Sequence, residues 1–209
     1  MNIAVVAANG RSGKAFVEAA LSAGHTVRAG VRTPEKNTLS PHPLLTIVKC
    51  DATVQTDVMT LIVGQDTVVS MIGHVKGSAA DVQTKAITHI IYAMQQQAIT
   101  RLVSLTGTGV RFTGDHITLA DRVLNKAIQT SGLPFYGDGV RHVEMMKESG
   151  LEWTVIRALL LTNSSPKAFT LKEHGPAKLF VSRKEVALAA LQVLERHSFI
   201  RQAPIISRS

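Results

Sequence analysis

Residues 2–13, Asn-Ile-Ala-Val-Val-Ala-Ala-Asn-Gly-Arg-Ser-Gly, constrain this chain more than any other stretch. The apolar run at residues 3–8, closed by Asn9-Gly10, reads as a strand buried on both faces and ended by a turn. Ser12 is placed to cap the helix that follows. Phe16, Ala19, Ala20 and Ala23 then recur at helical 3/4 spacing, predicting a helix over residues 13–23. Strand, tight glycine turn and helix in that order bring unpaired N–H groups and the positive end of a helix dipole to one point. A pyrophosphate is stabilised at such a point.

The usual dinucleotide fingerprint is G-x-G-x-x-G. This span reads Ala7-Ala8-Asn9-Gly10-Arg11-Ser12-Gly13. Gly10 would let phosphates approach the backbone, and Gly13 would let the helix pack closely on the strand. Two glycines three apart also close an ordinary strand–helix turn, so the rest of the chain has to support the reading.

The 209 residues suit one α/β domain over positions 1–209, with residues 158–181 as a small substrate-side segment. A hydrophobic content of 45% against 18% charged is enough for a core and excludes a disordered chain. Aromatics at 4% argue against a base-stacking surface. One cysteine, Cys50, excludes an internal disulfide and a cysteine-rich zinc site, and fits a reducing compartment. With no basic-then-apolar leader and no long apolar run, a soluble cytoplasmic protein without a metal is expected. The formal charge of +8 is spread along the chain, with 9 basic and 6 acidic residues in 1–104 and 14 and 9 in 105–209. The longest basic run is Arg183-Lys184, so a solvated basic surface is preferred to a nucleic-acid site. Such a surface still draws anionic ligands.

Strands and helices alternate from there. Strands are predicted at 26–31, 44–48, 67–72, 101–105 and 152–157, with helices at 55–63, 80–97, 116–130 and 139–149 between them. Short strands are expected near 168–171 and 178–181, and a terminal one at 204–207. Ser182-Arg183-Lys184-Glu185 is a capping-box signature for a last helix. Pro134–Gly137 reads as a turn, with Asp138 capping the helix after it. The pattern specifies an α/β doubly wound parallel sheet of order 3-2-1-4-5, with later strands added beyond the fifth. Arg32 stands just past the second strand, where NAD-binding chains often hold an acid for the ribose 2′-hydroxyl. A guanidinium there suits a 2′-phosphate instead, with Thr33, Lys36 and Arg11 in reach; a solvated loop arginine is the plainer reading. Asp51 past the third strand either bonds the adenine amino group, with Ala52 over the ring, or caps the following helix. Gly73 would lie at the crevice where the strand order reverses. His74 and Lys76 sit in the next loop, where either could touch phosphate or substrate, with surface placement the plainer reading.

The chain resembles an atypical short-chain dehydrogenase/reductase, nearest the NmrA-like group that includes the biliverdin reductase B/flavin reductase type. The resemblance spans nearly the full length. It rests on Ala7–Gly13 (a G-x-x-G-x-x-G with Ala7 at the first glycine), Val31–Lys36, Asp51-Ala52, Met71-Ile72-Gly73, the fifth strand to Thr106, and Glu144 with the run from Glu148 to Arg157. It implies a Rossmann fold binding NADP(H) along Ala8, Asn9, Gly10, Arg11, Ser12, Gly13, Arg32, Asp51, Ala52, Met71, Ile72, Gly73 and Thr106. It puts Leu159–Leu161 near the nicotinamide, although the usual proline after Arg157 is Ala158. Typical members use Tyr-x-x-x-Lys beside a serine. Here Thr106, with Thr108, occupies the serine region, Arg141 the lysine position and Gly137 the tyrosine position, with Tyr136 one residue off. Tyr136 and Arg141 would point about 140° apart on one helix, and arginine cannot relay a proton. Thr106, Tyr136 and Arg141 are therefore the candidate catalytic set, with Tyr136 as a packed aromatic the competing reading.

These readings favour an NADPH-dependent oxidoreductase passing hydride to a flavin, quinone or similar conjugated acceptor. The alternative is a non-catalytic NADP(H)-sensing regulator. A sugar-nucleotide epimerase is disfavoured by the missing tyrosine–lysine pair. The expected partner is a small-molecule hydride acceptor rather than a membrane or nucleic acid, for a monomer or homodimer.

Overall fold

The computed structural model describes residues 1–130 and 135–208. Its central sheet has eight strands in the order β3-β2-β1-β4-β5-β6-β10-β8. These are β1 (Asn2–Val6), β2 (Thr26–Val31), β3 (Leu45–Lys49), β4 (Thr67–Ser70), β5 (Arg101–Gly107), β6 (Glu152–Ala158), β8 (Phe169–Lys172) and β10 (Ile205–Arg208). All pairings in it are parallel except β8 with β10. A separate parallel pair joins β7 (Leu160–Thr162) to β9 (Phe180–Ser182). The helices are α1 (Arg11–Ser22), α2 (Gln55–Ile62), α3 (Val82–Gln96), α4 (Leu119–Thr130), α5 (Phe135–Glu148) and α6 (Arg183–Glu195).

The apolar run in β1 is continuous because both faces of the sheet are covered. Ile3 and Val5 pack with Phe16 and Val17 of α1 and Ala187 and Ala190 of α6. Ala4 and Val6 pack with Leu61 of α2, Ile90 of α3 and Met146 of α5. Alternate residues of a strand point to opposite faces, so a strand between two helical layers needs apolar side chains at every position. The order 3-2-1-4-5 is as expected, and β6, β10 and β8 extend it. Part of the segment 158–181 joins the main sheet as β8, and the strand at 160–162 was not foreseen.

Three local expectations are corrected. Gly10, not Ser12, is the N-cap of α1, and no side chain caps it; Ser12 is the second helical residue. The residues 135–137, expected as a turn, are helical, because α5 begins at Phe135; Pro134 lies outside the described residues. Asp138 therefore sits inside α5, and its carboxylate serves a different helix. The capping box before α6 forms as read: Ser182 Oγ accepts the Glu185 N–H at 3.1 Å, and Glu185 Oε2 accepts the Ser182 N–H at 2.9 Å.

Candidate functional site

A cleft of about 810 Å³ opens along the C-terminal ends of β1, β2, β4, β5 and β6. Its middle is the turn between β1 and α1. The Gly10 N–H donates to the Ala7 carbonyl at 3.0 Å, and the helical ladder starts with the Lys14 N–H to the Gly10 carbonyl at 2.8 Å. The N–H groups of Arg11, Ser12 and Gly13 thus precede the ladder, and Arg11 and Ser12 line the cleft. Ala7, where the fingerprint has its first glycine, holds φ at 60°, a left-handed conformation that glycine adopts without strain. A Cβ at Gly13 would stand 2.3 Å from the Ala7 carbonyl oxygen and 2.8 Å from Ala8 Cα. Gly13 is required by the packing of α1 on the turn. Neither Ala8 nor Gly13 lines the cleft: both are buried behind it and shape the turn.

Asn9 lines the cleft, but its side chain is spent on the chain itself. Its Nδ2 donates to the Lys36 carbonyl at 2.9 Å, and its Oδ1 accepts from the Thr38 N–H at 3.0 Å and hydroxyl at 2.8 Å. It ties the loop after β2 to the turn, so that Arg32, Thr33 and Lys36 line one end of the cleft with Cys50, Asp51 and Ala52. Asp51 Oδ1 accepts from the Thr53 N–H at 2.9 Å and hydroxyl at 2.7 Å, a turn leading into α2, whose N-cap is Val54. Burial raises the Asp51 pKa, but the Thr53 bonds and the Arg32 charge outweigh it and hold the carboxyl below its ordinary value. Burial, then the charges of Asp57 and Asp51, push the Cys50 thiol up to about 12, so it stays protonated. Met71, Ile72 and Gly73 line the floor, and a Cβ at Gly73 would meet nothing within 4 Å.

The far end carries Thr106, Gly107 and Gly109, Ala158, Leu159 and Leu161, and Asn125 and Tyr136. A Cβ at Gly109 would stand 2.6 Å from Asn125 Oδ1 and 3.2 Å from Tyr136 Cδ2, and one at Gly139 would stand 3.2 Å from Thr106 Oγ1. Thr106 and Tyr136 thus share this end. Arg141 does not: it is exposed and lies outside the lining, in keeping with the angle of about 140° expected between it and Tyr136. The physical reason is helix phase, since α5 turns position 136 inward and position 141 outward.

His74 is not on the surface. Its side chain is 4% exposed, and Nε2 lies 2.8 Å from Asp138 Oδ2. Asp138 also accepts the Gln83 N–H at 2.8 Å and the Thr84 N–H at 2.9 Å, so a carboxylate on α5 caps α3 from outside. Burial raises its pKa, but the Thr84, Gln83 and His74 donors outweigh burial and keep it low. Lys76 is exposed and away from the lining. Arg157, fully buried, acts below the site. It donates to Ala203, Val110 and Glu173 carbonyls and pairs with Asp115, which fixes the loop after β5.

Two contributors were missed in the sequence. Asn125 belongs to a helix read only by its period. Arg183 was read only as part of a basic pair and a helix start, yet it lines the cleft beside Arg11. The capping box placed it at a helix N-terminus; nothing local placed that helix against α1.

Among the described residues no helix is long and apolar enough to cross a membrane, and no three or more potential metal-ligating side chains gather. A family model described as NAD(P)H-binding matches residues 7–197. An uncharacterized chloroplastic protein of Arabidopsis thaliana is 26% identical over 219 residues, covering 98% of this chain and 76% of that one. A short-chain dehydrogenase/reductase of Veillonella parvula, solved in complex with NADP, superposes with a TM-score of 0.82 at 17% identity over 99% of this chain and 94% of that one. A candidate NADH-flavin reductase of Streptococcus pneumoniae superposes at 0.79 with 22% identity over 100% of both chains. At these identities the solved structures speak to the fold.

Proposed function

The chain belongs to the NAD(P)H-binding family, and from that premise we propose that it is an NADPH-dependent oxidoreductase that passes hydride to a flavin, quinone or similar conjugated acceptor. The observation that carries the reading is the polarity of the cleft. Cations line one end, the glycine turn the middle, and an end without a tyrosine–lysine or tyrosine–arginine pair lies opposite. The residues fit the cofactor: N–H groups precede the α1 ladder, and the space a Gly73 Cβ would take is open. Arg11 and Ser12 would hold the pyrophosphate through their N–H groups, and Arg32, Thr33 and Lys36 the 2′-phosphate. When bound, the nicotinamide supplies the hydride. Leu159 and Leu161 present an apolar wall that excludes water, and Thr106 offers a hydroxyl to orient a ring carbonyl or amide.

A simple ketone gains a proton as hydride arrives, and general acid help there is worth about 10²–10⁴ in rate. A flavin or quinone delocalises the charge and takes its proton from water afterwards. Catalysis then reduces to holding two rings at hydride distance. The likeness to the candidate NADH-flavin reductase of S. pneumoniae supports this acceptor class. The test is NADPH oxidation with a panel of flavins, quinones, ketones and alcohols, alongside paired dissociation constants for NADP⁺ and NAD⁺. Turnover confined to conjugated acceptors, with NADP⁺ bound more tightly, is the expected result. Ketone reduction at comparable rates overturns it. The missing acid also favours a second reading, an NADP(H)-sensing regulator, which tight cofactor binding with no turnover across the panel would select.

A further inference from the structure

We infer that Arg11 and Arg183 together form a subsite for a phosphate-class oxyanion at the junction of α1 and α6, separate from the Arg32 pocket. The two arginines come from opposite ends of the chain. Arg11 is the first residue of α1 and Arg183 the first of α6, and these helices pack along one another on the same face of the sheet. Both residues line the cleft next to Gly10 and Ser12.

The charges there are uncompensated. Among the described residues neither arginine takes part in an ion pair. The first turn of α1 holds no acid. The first turn of α6 holds Glu185, which is buried and committed to Arg208 at 2.9 and 3.0 Å and to the Ser182 and Lys167 N–H groups. What holds Arg183 is a neutral group, Asn163 Oδ1, at 2.7 Å from Nη1. Burial, and then the Arg11 charge, lower the Arg183 pKa, so the two guanidinium groups feel each other. Two like charges, aimed into one cleft at the positive ends of two helices, are an arrangement that an anion completes. Guanidinium forks match phosphoryl oxygens in pairs.

That chemistry has two sources: the pyrophosphate of the dinucleotide, and a phosphate carried by the acceptor, as in a flavin mononucleotide. The first needs only family membership; the second rests on the reductase reading. Calorimetry on the full chain and on Arg183→Gln and Arg11→Gln separates them. With inorganic pyrophosphate as probe, binding to the wild type and its loss, by about tenfold or more, in each variant is the expected result. If the cofactor is the source, NADP⁺ affinity falls by a similar factor, while the ratio of KM for flavin mononucleotide to that for riboflavin is unchanged. If the acceptor is the source, NADP⁺ affinity holds, and that ratio rises by about tenfold. The Tm of each ligand-free variant stays level or rises, because repulsion is relieved; an arginine kept for structure would lower it. Unchanged pyrophosphate, NADP⁺ and flavin mononucleotide binding in both variants, or a lowered Tm as their only effect, overturns the subsite. The pyrophosphate and NADP⁺ arms need no turnover, so they stand even where the acceptor panel gives none.

Discussion

Asp115→Ala should be among the most damaging single changes in this protein outside the apolar core. Arg157 is 0% exposed and Asp115 2%. The pair is buried, and Arg157 Nη2 donates to Asp115 Oδ1 at 2.8 Å. The same carboxylate accepts the Phe112 N–H at 2.9 Å. Removing one partner of a buried pair typically costs about 3–5 kcal/mol, because the other charge is left uncompensated. Arg157 keeps three carbonyls, Ala203 at 2.6 Å, Val110 at 3.0 Å and Glu173 at 2.9 Å, and the Phe112 ring at 4.8 Å, which puts the loss toward the lower end. The stranded Phe112 N–H adds about 1 kcal/mol. A total of about 4 kcal/mol lowers Tm by roughly 8–16 °C for a domain of this size. Urea denaturation followed by circular dichroism measures it, with an unchanged m-value as the sign that stability alone moved. Asp115→Asn keeps one acceptor oxygen and should lose less. Burial raises the Asp115 pKa, but the Arg157 and Phe112 donors and the Arg157 and Arg111 charges outweigh it, so the carboxyl titrates below its ordinary value. Its contribution is complete above pH ~4 and is lost as pH falls through the lowered folded pKa, a limb that Asp115→Ala should flatten. A loss under about 1 kcal/mol in both variants would refute the reasoning.

Four further outcomes are expected. His142, buried and bonded to Ser104 through Nε2 at 3.0 Å, is lowered by burial to about 4 despite the Asp138 charge. It stays neutral in the fold while the unfolded chain takes up a proton below pH ~6.5, so stability should fall by about 3 kcal/mol between pH 6.5 and 4; urea midpoints across that window should lose this slope in His142→Gln. Ala7→Gly relieves a left-handed alanine worth roughly 1–2 kcal/mol and adds unfolded-state entropy worth about half of that, so Tm should rise by a few degrees; a fall in Tm would mean that the methyl is a packing contact. Arg32→Ala should weaken NADP⁺ by about tenfold, the low end for an exposed charge-assisted fork, and leave NAD⁺ unchanged, as read by titration. Tyr136→Phe should slow flavin or quinone reduction by less than about tenfold; a thousandfold loss at constant cofactor affinity would show that the tyrosine is an acid after all.

What could be read from the sequence was whatever neighbours along the chain decide among themselves. A continuous apolar run, two glycines at a turn and a second strand beginning thirteen residues after Gly13 specify β1, α1 and β2 and the crevice between β1 and β4. The Ser182–Glu185 box is a bargain struck within one helical turn, and it forms as written. The placing of Arg32, Asp51 and Gly73 in the cleft followed from their positions just past strands whose order was already specified. The rest depended on how finished elements dock. Local sequence does not say that Asp138 caps α3 rather than its own helix, because any helix N-terminus offers the same N–H groups and only packing selects which one arrives. The spacing already set Arg141 about 140° from Tyr136, but which of the two faces the cleft was decided by how α5 packs. Nor does the turn signal Asn9-Gly10 say that the Asn9 side chain ties down the loop carrying Lys36 and Thr38. Arg183 meets Arg11 across more than 170 residues because α6 settles on α1, both drawn there by apolar faces that carry no record of the charges they bring together.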